Sequence, residues 1–330
     1  MVKRALVTGG AGFIGSHLVD RLVSTDWYVD IVDDMSNGHM RFVQKYLRED
    51  NLWITDFSDD LILDSIRGGS YDVVYHIAAV PRVSYSVEHP IETNDVNVTK
   101  TLKLLEACRG NVKRVVFASS SSVYGGADVL PTKETFPKNP KSPYALQKSI
   151  IEDYLKLYSS LYGLDSACLR FFNVFGPRQL GGSPYSTAVS AWLTAIKSGL
   201  PMRSDGDGSQ TRDMCYVDNT VDACVAAGLY EGRLSGDVFN VACGDRTSNA
   251  EILRYLKTRY PGATSYDAPW RSGDVMHTQA DVSKAEKILG YKPTVKFWEG
   301  LDRTIKWYDD NWDVVVDLTS EETWNHAAES

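Results

Sequence analysis

Through the first half of this chain, apolar residues come in short unbroken runs. A polar or glycine-rich turn follows each run, and then a helical apolar period. Ala5-Leu6-Val7, Val29-Asp30-Ile31-Val32, Leu52-Trp53-Ile54-Thr55, Val73–Ala79, Val115–Ala118 and Ala167–Phe172 are six such runs. Continuous apolar runs suit strands of a parallel sheet, which are buried on both faces. Between them the period becomes helical: to Val23, around 91–109, and after Pro143 through Ile150, Ile151, Tyr154, Leu155, Leu157 and Tyr158. Repeated βαβ units predict an α/β fold built on a doubly wound parallel sheet.

Residues 174–213 break that rhythm with Gly176-Pro177, Gly181-Gly182, Ser183-Pro184 and Gly206-Asp207-Gly208. Helical pattern returns at 186–198 and 218–230, and Val238–Ala242 reads as a further strand. The stretches 249–259, 283–289 and 298–310 read as helices. The expected division is a nucleotide-binding domain of 1–173 plus 214–243. A smaller mixed α/β lobe of 174–213 plus 244–330 would hold the substrate. After Trp312 the tail is acidic and weakly patterned, so only partial order is expected there.

The chain has 330 residues, enough for one large or two smaller domains, and is 43% hydrophobic and 24% charged. With 35 Lys+Arg against 43 Asp+Glu, its formal charge is −8. Such a balance argues against nonspecific binding to nucleic acid or anionic membrane, but leaves room for a locally basic pocket. The five cysteines are scattered and lack the spacing of a metal site. They read as buried free thiols in a reducing compartment, and a cytoplasmic location is expected. No signal peptide is read in residues 1–24, and no run is long and apolar enough for a membrane span.

The most informative turn is Thr8-Gly9-Gly10-Ala11-Gly12-Phe13-Ile14-Gly15, placed between a strand and a helix. Its glycines let the backbone turn tightly and approach a pyrophosphate at the helix N-terminus. A glycine-rich surface turn has the same composition, but would not need the strand before it and the helix after it. The spacing is G-x-x-G-x-x-G rather than the commoner G-x-G-x-x-G. Asp33 lies about 20 residues on, where a carboxylate meets the adenosine ribose hydroxyls and repels a 2′-phosphate, favouring NAD over NADP. Asp34 could share that role. Four serines, 119–122, end the fifth strand at the sheet edge where ligands bind.

Tyr144 and Lys148 are four residues apart on the helix that Pro143 opens, so they share one face. A free phenol titrates near pH ~10. A neighbouring cation lowers that value, which would make Tyr144 a usable general base. An amphipathic surface helix could carry the same pair by chance.

Taken together, TGGAGFIG, Asp33, the serine cluster before Val123-Tyr124-Gly125, and Tyr144/Lys148 resemble the extended short-chain dehydrogenase/reductases with their Rossmann-type sheet. The resemblance runs from about residue 3 to 310. Within that superfamily, Arg170–Gly176, Thr211–Asn219 and Arg271-Ser272-Gly273-Asp274 look like the nucleotide-sugar 4-epimerases. The resemblance implies a cofactor site of Gly9, Gly12, Phe13, Ile14, Gly15, Asp33, Asn37, Asp56, Phe57, Ile77, Ala78, Ala79, Asn97, Tyr144, Lys148 and Phe171. It implies Ser120 as the catalytic serine, with Ser121 a possible substitute because Ser120 lies one residue nearer Tyr144 than in many galactose epimerases. Asn173, Arg212 and Arg271 would take the diphosphate, as donor and as cations.

Related 4,6-dehydratases and decarboxylating synthases carry an acidic residue two, and some also three, positions before the tyrosine that is Tyr124 here. This chain has Ser122 and Ser121 there, so those reactions are set aside. By the same resemblance, Tyr144 deprotonates the sugar 4-OH with Ser120 bridging. Hydride passes to NAD and returns to the other face after the keto sugar turns over. Thr278 stands where galactose epimerases place a gate, and a small residue there leaves space for an N-acetyl group. The expectation is UDP-GlcNAc/UDP-GalNAc interconversion, perhaps with UDP-Glc/UDP-Gal, in a homodimer packed through helices at 92–108 and 144–160. UDP-glucuronate 4-epimerase is the nearest alternative. A catalytically silent nucleotide sensor is the alternative from another class, but Tyr144 and Lys148 argue against it.

Overall fold

A computed structural model describes residues 2–46, 51–181, 187–270 and 275–327, with side chains in the last helix as far as Thr319. Seven strands form the main sheet: β1 (Arg4–Thr8), β2 (Tyr28–Asp33), β3 (Leu52–Ile54), β4 (Val73–His76), β5 (Arg114–Ser120), β6 (Ser166–Phe171) and, from far along the chain, β11 (Asp237–Val241). Their order is β11-β6-β5-β4-β1-β2-β3, and every pairing is parallel. Three two-stranded pieces lie outside the sheet. They are β7 (Asn173–Phe175) with β10 (Met214–Tyr216), β8 (Met202–Asp205) with β13 (Ser265–Ala268), and β9 (Thr211–Arg212) with β12 (Thr247–Ser248).

The unbroken apolar runs are explained by helices on both faces. Ala5 and Val7 of β1, Val29 and Ile31 of β2, and Val116 of β5 point to a core shared with α1 (Phe13–Ser24) and α9 (Val217–Leu229). Leu6, Val32, Val115 and Phe117 point the other way. They meet α3 (Asp60–Arg67), α6 (Thr101–Cys108) and α7 (Pro143–Tyr162) through Ile62, Leu104, Ile151 and Leu155. Each fully buried side chain of this size contributes roughly 1.5–3 kcal/mol. A charge at any of these positions would therefore open one layer. Strand order reverses between β1 and β4, the switch point where doubly wound sheets bind ligands at their C-terminal edge.

Two expectations are corrected. The single helix expected over 91–109 keeps its course, but its middle is π-helical. α4 (Val83–Glu88) and α5 (Pro90–Asn94) lead into a π segment (Asp95–Lys100) and then α6. The tail, where only partial order was expected, carries helix α13 (Trp312–Ala327), whose Val315 and Leu318 are buried in the core. Helices α8 (Ala188–Lys197), α10 (Asn249–Arg259), α11 (Ser283–Leu289) and α12 (Phe297–Asp310) lie close to their expected places, and a short α2 (Met40–Val43) was not expected.

Candidate active site

The glycine turn closes against the end of β4. Gly9 has φ +68°, and a Cβ there would stand 2.8 Å from the Ala78 amide. A Cβ on Gly15 would overlap the Gly9 carbonyl oxygen. Gly12 caps α1 in extended conformation and makes no side-chain capping hydrogen bond to the first-turn amides. Backbone can reach backbone here only because side chains are missing, and an anion at the helix start gains the amide dipoles.

Asp33 supports this turn from behind. Its carboxylate accepts from the Ala11 amide (2.9 Å) and the Met35 amide (3.0 Å), and burial raises its pKa. Asp34 is exposed and accepts from Ser36, so of the two aspartates it is Asp33 that touches the glycine turn. Asn37 is half-buried just beyond it. Asp56 holds Lys100 at 2.7 Å, and Phe57 packs edge-on to His76. This cradle fits NAD. Its turn is shaped by glycine for close approach, its helix start is free of a side-chain cap, and a carboxylate stands at the end of β2.

His76 is a buried polar residue that sequence reasoning did not single out. It is buried between Thr8 Oγ1 at 2.8 Å and Thr101 Oγ1 at 3.0 Å, so it joins the ends of β1 and β4 to the long helix. Burial, aided by the Lys148 charge, lowers its pKa to about 3 and keeps it neutral. Asn97 lies in the π segment, a local irregularity often found at working sites. Its side chain accepts from the Val80 amide (2.8 Å), donates to the Val80 carbonyl (3.0 Å) and donates to Gln147 Oε1 (2.8 Å). Asn97 therefore fixes the loop that follows Ile77, Ala78 and Ala79, with Gln147 passing the bond on to Thr93.

Helix α7 begins where its sequence says it should. Ser142 caps the Ala145 amide, Pro143 takes the first position, and Ser86 of α4 accepts from the Tyr144 amide at 3.1 Å. Tyr144 and Lys148 are both buried. Lys148 Nζ donates to the Ala118 carbonyl at 2.7 Å and lies 5.8 Å from the Tyr144 ring centroid. Sequence reasoning had the lysine lowering the tyrosine pKa. In the protein alone burial outweighs everything else. It pushes Tyr144 up to about 12, against the pull of a hydrogen bond from Ser120. It also brings Lys148 down to about 7, with Glu152 opposing.

Ser120 ends β5 opposite Phe171 and caps a 3₁₀ turn (Ser121–Tyr124). Its Oγ accepts from the Ser122 amide (3.2 Å) and from Ser122 Oγ (2.9 Å). Ser119, on the opposite face of the strand, donates to Glu152 at 2.6 Å, and Arg170 holds Glu152 with Nε and Nη2 at 2.8 and 2.7 Å.

A second cluster gathers around Asp213, another residue the sequence did not single out. Its buried carboxylate accepts from the amides of Cys243, Gly244 and Ala280. Burial carries its pKa up to about 7 against those bonds. The Asn173 amide donates to the Asp213 carbonyl, and the Asp213 amide donates to Thr278 Oγ1. Arg212 donates to the carbonyls of Thr211 and Met276. Asn173, Arg212 and Thr278 are thus brought together. Thr132, downstream of the Ser120 turn, exchanges backbone bonds with Gln279 and Asp281 and ties this strip to the serine end of the sheet. Arg271 lies outside the described residues.

Comparison with known proteins places the chain in a family. The NAD dependent epimerase/dehydratase family matches residues 5–242. The UDP-glucose 4-epimerase of Mycolicibacterium smegmatis is 38% identical over 313 residues, covering 92% of this chain and 98% of its own. A solved UDP-N-acetylglucosamine 4-epimerase from Methanobrevibacter ruminantium, in complex with UDP-N-acetylmuramic acid, superposes with TM-score 0.88. It is 36% identical and covers 94% of this chain and 99% of its own. A UDP-N-acetyl-alpha-D-glucosaminuronate decarboxylase of Bacillus cytotoxicus is 30% identical, covering 93% and 98%. The chain belongs to the NAD-dependent epimerase/dehydratase family of extended short-chain dehydrogenase/reductases, on its nucleotide-sugar 4-epimerase side, and is an enzyme that uses NAD.

Proposed function

We propose that this enzyme interconverts UDP-GlcNAc and UDP-GalNAc, with UDP-Glc/UDP-Gal as a weaker reaction. The observation that carries the choice is Thr278, a small side chain held by the Asp213 amide beside Arg212. A small gate leaves volume for an acetamide at C2. The solved relative named for UDP-N-acetylglucosamine supports the same reading. Ser121 and Ser122 stand where an eliminating or decarboxylating relative would carry carboxylates, which argues against those reactions despite the decarboxylase among the relatives.

In this reading Tyr144 takes the proton from the sugar 4-OH, with Ser120 hydrogen-bonded beside it. Lys148, fixed by the Ala118 carbonyl, would hold the cofactor's ribose, and Asn173, Arg212 and Arg271 would take the diphosphate. NAD held by the glycine turn and Asp33 would supply a reversible hydride acceptor for the sugar C4–H, so no net oxidant would be consumed. The cofactor half is 1–173 plus 214–243, and the sugar-binding half is 174–213 plus 244–330.

The enzyme acts as a homodimer. Leu146, Leu157 and Leu161 are exposed on α7, with half-buried Ile150 and Tyr154 between them. Their spacing makes one apolar stripe, and a partner helix is what such a stripe buries against.

The test is to incubate the purified protein with UDP-GlcNAc, UDP-GalNAc, UDP-Glc, UDP-Gal and UDP-glucuronate without added NAD, and to follow products by NMR. Equilibration of the N-acetylated pair at the highest kcat/KM is expected. Denatured protein should release NAD. Fastest turnover of UDP-glucuronate would overturn the substrate, and released NADP would overturn the role given to Asp33.

A further inference from the structure

A serine hydroxyl has one proton to give and two lone pairs that accept. Both acceptor positions of Ser120 are taken within its own turn, by the Ser122 amide at 3.2 Å and by Ser122 Oγ at 2.9 Å. The backbone bond comes with the 3₁₀ cap and needs no particular side chain at 122. The second bond depends on the Ser122 hydroxyl. With both lone pairs engaged, the Ser120 proton is left free for another acceptor, and Ser120 is the side chain whose hydrogen bond favours the Tyr144 phenolate.

We infer that Ser122 is a positioning residue that makes Ser120 an obligate hydrogen-bond donor to the Tyr144 oxygen, rather than a relay for the substrate's proton. This rests on Tyr144 being the base, and it changes the bridging role expected for Ser120 from the sequence. The proton balance is simple. The O–H bond at sugar C4 breaks, the O–H bond on Tyr144 forms, and the Ser120 O–H bond stays intact throughout. A donor of this kind favours the phenolate, which matters because burial works strongly against it.

The charged groups around Tyr144 are the same with or without the Ser122 hydroxyl. Lys148 and Glu152 come from α7 itself, and Arg170 from β6 closes on Glu152. His76 of β4 faces Lys148 as a neutral ring. From α4 through the π segment come Glu88, Glu92, Asp95 and Lys100, of which Glu92 takes the Tyr85 hydroxyl and Lys100 pairs with Asp56 and Asp95. A change at Ser122 therefore reads the hydroxyl alone.

The experiment compares Ser122→Ala and Ser122→Thr in the NAD-containing enzyme. It records kcat against pH, the thermal midpoint, and a ¹³Cζ-tyrosine NMR titration assigned with Tyr144→Phe. Removing one neutral hydrogen bond should slow Ser122→Ala about three- to tenfold at neutral pH. The acid limb and the Tyr144 titration should both move upward by roughly half to one pH unit. Ser122→Thr, which keeps the hydroxyl, should restore both. Were Ser120 a relay, Ser122→Ala would free the lone pair the relay needs. A kcat that holds or rises therefore overturns the inference. So does an equal slowing of both variants with a lower thermal midpoint and unmoved pH limbs. Near-normal turnover by Tyr144→Phe would instead remove the base assignment. An inactive Tyr144→Phe beside an unaffected Ser122→Ala would remove this inference alone.

Discussion

Lys148 and Glu152, one turn apart on α7, fasten to consecutive residues of β5: Lys148 Nζ donates to the Ala118 carbonyl at 2.7 Å, and Glu152 Oε1 accepts from Ser119 Oγ at 2.6 Å. The next residue of the strand is Ser120. The helix that carries Tyr144 is thus locked in register to the strand that carries Ser120, with Arg170 of β6 completing the lock.

Glu152→Gln should break that lock. It removes a charge that is buried beside Arg170 and leaves the guanidinium without a counterion, a change that costs about 3–5 kcal/mol at buried pairs. Glu152 also opposes the burial that lowers the Lys148 pKa. The variant should therefore lose Lys148 protonation at lower pH. Denaturant unfolding and the alkaline limb of kcat check the two effects, and an unchanged midpoint with an unmoved limb would refute them.

Tyr144→Phe should lower turnover by about 10²–10⁴-fold, the scale of a positioned acid–base group, at nearly unchanged stability. Single-turnover NMR assays of paired preparations decide it.

Lys148 carries a stability signature with a definite sign. Its folded pKa, about 7, lies below its unfolded value, so the unfolded chain holds more protons between those two points. Stability of the wild type should rise from about pH 7 towards pH ~10 through this group, and the burial penalty is fully present below pH 7. Lys148→Met lacks that rise. Unfolding free energies of the two proteins should therefore converge or cross in favour of the wild type as pH increases. Parallel curves would exclude this role.

Thr278→Tyr should reject the N-acetyl group while sparing a C2 hydroxyl, because a packed pocket relaxes only partly around an added ring. The expected change in the UDP-GalNAc to UDP-Gal ratio of kcat/KM is about 10–200-fold. Measuring both sugars on one preparation cancels any folding defect. A constant ratio would show that Thr278 is not the gate.

If α7 forms the proposed homodimer contact, Leu157→Glu with Leu161→Glu should break it without touching the core, since both side chains are exposed on α7. Sedimentation equilibrium should show a monomer for the double variant and a dimer for the parent. A parent that is monomeric at high micromolar concentration would end the dimer reading.

Much of this was legible in the chain. Strand β1, the glycine turn and α1 announce themselves because each local preference agrees with the final contacts. Tyr144 and Lys148 were visible because helical spacing alone places them together. Beyond residue 213 the same holds for β11, expected at 238–242 and found at Asp237–Val241. What stayed hidden was non-local. Asp213 has nothing in its neighbours to show that three amides from 243, 244 and 280 converge on it. His76 reads as one more residue of a buried strand until Thr8 and Thr101 are seen on either side. The π segment leaves the apolar period intact and so leaves no trace in it. The high Tyr144 pKa depends on how deeply the phenol is buried, which spacing does not report.

Strand β11 joins the sheet last although it pairs directly with β6. Between them the chain must complete α8, the four outlying strands β7 to β10, and α9. On the ribosome, the free edge of β6 therefore waits with its ladder groups unpaired until residues 237–241 have emerged. An open edge of that kind is a template for pairing with another chain. Any nascent chain released before β11 is made would present the β6 edge, which β11 covers by becoming the edge strand itself.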